Sequence, residues 1–342
     1  MWENQLRGNE LPNWDHVLRE IQKEKDDPGG DSAPDKIRKK YLMEMSARTG
    51  RNIFCYYSGW LSKPKNIEGL EINDEDTNGF MLCTHRIDRS KGLDLFLHTP
   101  GGSGAATESI VHYLKKMFGN NIRAFVPQIA MSAGTIIACA CKEIFMGHHS
   151  NIGPVDPQVN GLHAYAVIEQ LAKAYQEIVA DNQRAWVWNP ILSNYTPGFV
   201  QQCDWAIKKV KDLVETYLKD NMFAGHQNAQ QRAANIVNWL TELSKDKGHD
   251  HHIYYDDCAK QGLNVRQLED PKDRTLQDLV LTIHHCYMFT LSNTPCFKVI
   301  ENHLGRRWLK VQVVQQQILV QQPMMMQPPT SSPLLAPSGP TS

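Results

Sequence analysis

Two stretches, "GLDLFLHTPGG" (92–102) and "IRAFVPQIAMSAGT" (122–135), each run from apolar residues into a patch of very small ones. Their separation, roughly thirty residues, is the length of one strand–helix–strand unit, and a helical pattern over 104–118 fills the gap. A parallel connection puts both strand ends on one edge of a sheet, so the glycine pair Gly101–Gly102 and Ser132 come to the same edge. With "GFMLCTHRI" (79–87) read as an earlier strand and "EIFMG" (143–147) as a later one, the alternation predicts an α/β core with a mostly parallel sheet.

The remainder divides by periodicity and composition. Residues 1–50 read as a helical, polar N-terminal extension interrupted by the turn signal "DDPGGDSAPD", and 51–160 as the α/β core. Over 161–310 the pattern is helical, strongest in "QCDWAIKKVKDLVETYLKDNMF", and this region is expected to complete the core and supply oligomer contacts. "HDHHIYYDDCAKQGLNV" reads as a loop, a short helix and a glycine stop. The tail 311–342, rich in Gln, Pro, Met and Ser, is expected to be disordered.

Composition removes several classes of function. A formal net charge of -1 gives no footprint for nucleic acid or for an anionic membrane. No apolar run reaches bilayer-spanning length, and the charged N-terminus lacks the apolar segment of a secretory signal, so no integral membrane segment is expected. The eight cysteines are dispersed without a C-x-x-C pair, which favours reduced thiols in the cytoplasm. His249, His251, His252, His284 and His285 lack partners at metal-site spacing, so neither a metal nor a cofactor is expected.

Acyl transfer needs a nucleophile beside backbone donors that meet the developing oxyanion, and a helix start supplies such donors. Ser132 meets the first need, and the N–H groups of Gly102 and Ala133, with Gly101 shaping the loop, meet the second. From the residues alone, a Ser132 that merely caps a helix among small, close-packing neighbours is the simpler account. The segment is not a G-x-S-x-G elbow, because Ala130 stands at its first position. "GGSGAATES" lacks the Gly-Lys-Ser/Thr ending of a phosphate loop.

Six blocks in order, "TGRNIFCYYSGWL", "NDEDTNGFM", "GLDLFLHTPGG", "ATESIVHYL", "AMSAGT" and "IGPVDPQ", closely resemble the serine dehydrogenase proteinase family. That family is a soluble bacterial relative of signal peptide peptidase A within the Clp protease/crotonase superfamily. The resemblance covers residues 35–305 and implies a Clp protease/crotonase-like spiral of ββα units. It also implies a serine endopeptidase with Ser132 as nucleophile, an oxyanion hole of Gly101, Gly102 and Ala133, a peptide or protein substrate, and a homo-oligomer.

The base is less determined. Clp proteases carry a histidine where Asp156 and Pro157 stand here, whereas related membrane-associated peptidases use a lysine at the spacing of Lys173. On a helical wheel Val167, Leu171, Ala174 and Ile178 form one stripe, with Lys173 nearly opposite beside Glu169 and Gln176, the pattern of a solvated lysine. Lys173 is therefore a tentative Ser-Lys base, and Asp156 a second candidate. His98, His148 and His149 are candidate cleft residues, while Trp186, Trp188 and Tyr195 read as core or subunit contacts. Two other functions stay open on sequence: a crotonase-like acyl-thioester enzyme using the same pocket, and a non-catalytic scaffold with a peptidase fold.

Overall fold

The computed structural model describes residues 14–248 and 250–312; residues 1–13 (the first part of the expected N-terminal extension), His249 and the tail from Val313 lie outside them. The described residues open on helices α1 (Trp14–Lys23) and α2 (Ala33–Thr49). Ser32 starts α2 through a capping box with Asp35, and Gly50, in the left-handed conformation, stops it. Next come β1 (Asn52–Ser58), α3 (Asp76–Thr84), β2 (Leu93–His98), α4 (Gly104–Phe118), β3 (Ile122–Val126), β4 (Ile129–Ala130), α5 (Ala133–Cys139) and β5 (Glu143–Met146). Short strands β6 (Asn151–Ile152), β7 (Gln158–Val159) and β8 (Leu162–His163) lead into α6 (Ala164–Ala180), α7 (Ala185–Leu192), α8 (Phe199–Tyr217) and α9 (Ala229–Lys247). The described chain closes with β9 (Ile253–Tyr254), α10 (Tyr255–Gln261), β10 (Val265–Gln267), α11 (Arg274–Asn293), β11 (Cys296–Asn302) and β12 (Arg307–Val311).

Seven strands form the main sheet in the order β10-β5-β3-β2-β1-β11-β12. The five from β10 to β1 are parallel, and β11 and β12 join antiparallel. Both β1 and β2 are buried along their whole length, as expected for strands covered by helices on both faces. Alternate side chains serve two cores. Phe54, Tyr56, Leu95 and Leu97 meet α3, α4, α5, α8 and α9, while Ile53, Cys55, Tyr57 and Phe96 meet α1, α2 and α11. The parallel-rich α/β sheet agrees with the Clp-like class expected from the sequence.

Three sequence expectations change. "GFMLCTHRI" is not a strand: it falls largely on α3, where Phe80 and Cys83 face the core while Met81 and Leu82 are exposed, a helical spacing that a short apolar run does not reveal. Gly79 lets α3 lie on β11, since a β-carbon there would stand 2.6 Å from Ile300 Cδ1. The helical region expected over 161–310 also contains β10 and β11, the latter pairing with β1 one strand in from the sheet's β12 edge. Instead of hanging off the core, α2 covers one sheet face, anchored by buried Arg38, which donates to Glu301 Oε2 at 2.8 Å and to Thr290 Oγ1 at 2.7 Å. The tail expected from 311 falls, from Val313 on, outside the described residues.

A second small sheet, β4-β6-β9, starts just beyond the main sheet edge. A bridge between Thr99 and Ala130 ties its first strand to the end of β2. This places "TPGG" and "AMSAGT" side by side.

Candidate active site

Ser132 lies between β4 and α5 with φ 50° and ψ -111°, a conformation that costs a non-glycine residue about 1–3 kcal/mol and persists only where the surroundings enforce it. The enforcement is visible. Met131 N–H donates to Thr99 O at 3.0 Å, Gly134 N–H to Met131 O at 2.7 Å, and Ile136 N–H to Ser132 O at 3.1 Å. Buried Thr135 Oγ1 lies 3.0 Å from Ala130 O and 2.9 Å from Gly153 O, and accepts from Gly153 N–H at 3.0 Å. Gly134 must be small, because a β-carbon there would stand 2.5 Å from Thr99 Cγ2. Although Ser132 is the first flanking residue of α5, its side chain makes no capping hydrogen bond. The simple capping account therefore does not hold, and the small residues serve to seat this turn.

The glycine pair completes the geometry. Gly101, at φ 104°, packs against the serine, and a β-carbon there would meet Ser132 Cβ at 2.8 Å and Met131 O at 2.9 Å. Its N–H donates to Thr99 Oγ1 at 3.1 Å and its carbonyl accepts from Ile72 N–H at 2.8 Å. Gly101 thus shapes the loop and offers no donor to the cleft. Ser103 N–H donates to Ile72 O at 2.8 Å, so Gly101 and Ser103 hold Ile72 from either side of Gly102. In such a bridge the N–H of the middle residue points away from its partner strand. Among the described residues, neither the N–H of Gly102 nor that of Ala133 meets an acceptor.

Both groups line a cleft of about 1110 Å³ with Ser132, walled by residues 65–73, by Val155–Gln158 and by α8. Ile72, Ile136, Val155, Val210 and Leu213 make part of that wall apolar. Asp156 lines it too, nearly fully buried, with Oδ2 at 3.1 Å from Nδ1 of the half-exposed His163. The pairing follows from the β7–β8 hairpin, in which Gln158 opposes His163. Sequence reasoning passed over His163, and its only signal is the turn "VNGL" folding 156–158 back on 162–163.

Other candidates fall elsewhere. Lys173 is exposed on α6, outside the cleft lining and without an ion pair among the described residues, while Val167 and Ala174 on the opposite stripe are buried. His98 is fully buried beneath the loop, ringed by Trp60, Tyr57 and His284, and burial pulls its imidazolium down to about 3. It does not line the cleft, nor do His148, which contacts Gln267, and His149, 3.6 Å from Glu269. Among the described residues no group of three His, Cys, Asp or Glu side chains is set to hold a metal. No described helix is long and apolar enough to cross a membrane. Trp188 is buried and donates to Glu177, whereas Trp186 is 85% exposed.

The model of the ClpP-like SDH-type serine proteinases matches residues 70–280, more than half of the chain. The chain belongs to that family. In this SDH-type chain the matched region contains Ser132, the glycine pair and the whole cleft wall from Leu70 onward. Two uncharacterized proteins of Methanocaldococcus jannaschii are similar to it. One is 29% identical over 208 residues, covering 61% of this chain and 65% of the relative. The other is 28% identical over 166 residues, covering 48% and 51%. The chain thus spans between half and two thirds of the length of these curated relatives. Among solved structures, a mutant of a membrane-bound stomatin-specific protease is 17% identical, with a TM-score of 0.34, over 60% of this chain and 79% of that one.

Proposed function

We propose that this SDH-type proteinase is a serine endopeptidase in which Ser132 Oγ attacks the carbonyl carbon of a peptide bond. The observation that carries the reading is Ser132 itself: a left-handed serine, buttressed by Gly101, with its hydroxyl not spent on the helix cap. The carbonyl oxygen, negative after attack, accepts from the N–H groups of Gly102 and Ala133. Fixed backbone dipoles at that position are worth about a hundredfold or more in rate for each donor.

The serine proton goes to the Asp156–His163 pair, whose Asp156 Oδ2 lies 3.1 Å from His163 Nδ1 and orients the ring. As the C–N bond breaks, the same imidazole returns the proton to the leaving amine. Water then hydrolyses the acyl-serine by the reverse sequence of proton transfers. Asp156 shares the cleft lining with Ser132, and His163, outside that lining, is held to it by Asp156; this supports the route over one through Lys173, whose side chain faces solvent and which has no such tie to the cleft among the described residues.

The reading extends to a cytoplasmic homo-oligomer. Eight free cysteines, all buried, support a reducing compartment. Exposed Tyr175, Val179, Trp186 and Trp205 on α6, α7 and α8 support subunit contacts.

The test is cleavage of a library of internally quenched peptides by the purified full chain, with Ser132→Ala as control and acyl-coenzyme A thioesters assayed in parallel. Cleavage lost in the variant supports the peptidase. Thioester turnover that survives Ser132→Ala, with no peptide cleaved, would replace it with the crotonase-type reaction. No turnover of either substrate would favour the scaffold.

A further inference from the structure

A lysine and an aspartate lie fully buried directly behind the loop that carries Gly102. Lys298, on β11, places Nζ 3.0 and 2.9 Å from the two carboxylate oxygens of Asp76 and 2.8 Å from the carbonyl of Glu71. Both side chains have no solvent exposure. Asp76 Oδ2 also accepts from Tyr56 Oη at 2.8 Å and from Asn73 N–H at 3.1 Å. The pair therefore grips the backbone on both sides of Ile72: at the Glu71 carbonyl through lysine and at the Asn73 amide through aspartate.

Ile72 is the residue that holds the glycine loop, through Gly101 O on one side and Ser103 N–H on the other. Contact there is close enough that a β-carbon on Gly102 would stand 2.4 Å from Ile72 N and O. Any shift of Ile72 is thus transmitted to Gly102. Taking two charges out of water is costly, and an apolar pair of similar volume is often as stable or more so. A stability role alone does not explain an ion pair at this position, whereas fixing a catalytic donor within a few tenths of an ångström does.

We propose that Lys298 and Asp76 are positioning residues for the oxyanion loop, setting the direction of the Gly102 N–H through Ile72 without touching substrate. The inference rests on the reading of Gly102 as an oxyanion donor. It predicts a defect confined to the transition state, since an extended substrate bound by the cleft walls gains little from that donor before attack.

The experiment compares wild type, Lys298→Met and Asp76→Asn. Each is checked for folding by circular dichroism and urea midpoint, then assayed for kcat and KM on a cleaved peptide. Affinities are measured for a peptide boronate, whose tetrahedral serine adduct fills the oxyanion position, and for the product peptide. Expected in the folded variants is a fall in kcat of about tenfold to a hundredfold, with KM and product affinity within about threefold and boronate affinity falling in step with kcat. Should Lys298→Met not fold, Asp76→Asn, which keeps shape and loses charge, decides the matter with the same readouts. Unchanged kcat and boronate affinity in a folded variant would overturn the proposal, as would parallel losses in kcat and product affinity. A wild type that cleaves while the variants behave normally rejects this inference alone; a wild type that neither cleaves peptides nor binds the boronate removes the Ser132 reading, and this inference with it.

Discussion

Replacing His98 by leucine should uncouple the stability of the fold from acid. The ring is fully buried, neither of its nitrogens has a hydrogen-bond partner, and burial lowers its pKa from 6.5 to about 3. Below about pH 6.5 the unfolded chain binds a proton there, and the folded chain does not until about 3. The unfolded state therefore gains protons first, and stability falls as the pH drops through that interval. Each pH unit is worth about 1.4 kcal/mol, so between pH 6.5 and about 5 this one ring removes ~2 kcal/mol. His284, its ring centroid 5.4 Å away and displaced in the same direction by burial and by His98, adds to the slope. At neutral pH the leucine variant should be within about 1 kcal/mol of wild type, because an imidazole without hydrogen bonds is exchanged for an apolar group of similar size. Urea midpoints followed by circular dichroism from about pH 7.5 to 5 give the comparison. Wild-type stability should fall more steeply than that of His98→Leu, by roughly 2 kcal/mol at the acid end. Parallel slopes would refute the reasoning and mean that the buried ring is charged or reached by solvent.

Five other substitutions follow from the geometry. Arg38→Ala leaves Glu301 buried without its guanidinium and should cost about 3–5 kcal/mol in a urea titration, the largest single-site loss foreseen on the α2 side of the sheet. Gly101→Ala forces a β-carbon to 2.8 Å from Ser132 Cβ at a left-handed position, so kcat should drop about a hundredfold or more, with a stability loss of only about 1–3 kcal/mol by thermal melt. His163→Ala and Asp156→Asn should each lower kcat about a hundredfold or more while Lys173→Ala stays within about twofold; a Lys173→Ala loss as large as that of Ser132→Ala would restore the lysine as base.

Legibility in the sequence followed the range of the interactions involved. The unit from "GLDLFLHTPGG" to "AMSAGT" could be read because its strands, crossover helix and small residues are contiguous, and α4 occupies the segment its periodicity marks out. The polar average of 1–50 concealed α2 as a core helix, because Arg38 reads as a surface residue until Glu301, far along the chain, supplies its partner. The same distance hid the tie between Lys298 and Asp76. At the site, the serine and glycines were legible through local chemistry. The spacing argument for Lys173 and the helical wheel against it disagreed, and the exposure of that side chain follows the wheel. His163 escaped notice because only the β7–β8 hairpin brings it to Asp156.

The claim on which the rest depends is that Ser132 is a nucleophile held against working oxyanion donors. Its most direct measurement is the mass of the full chain after reaction with a fluorophosphonate, followed by peptide mapping of the adduct. The account predicts one phosphonyl group per chain, on the peptide containing Ser132, and none on Ser132→Ala. An unmodified chain, or an adduct that persists unchanged in Ser132→Ala, would contradict it.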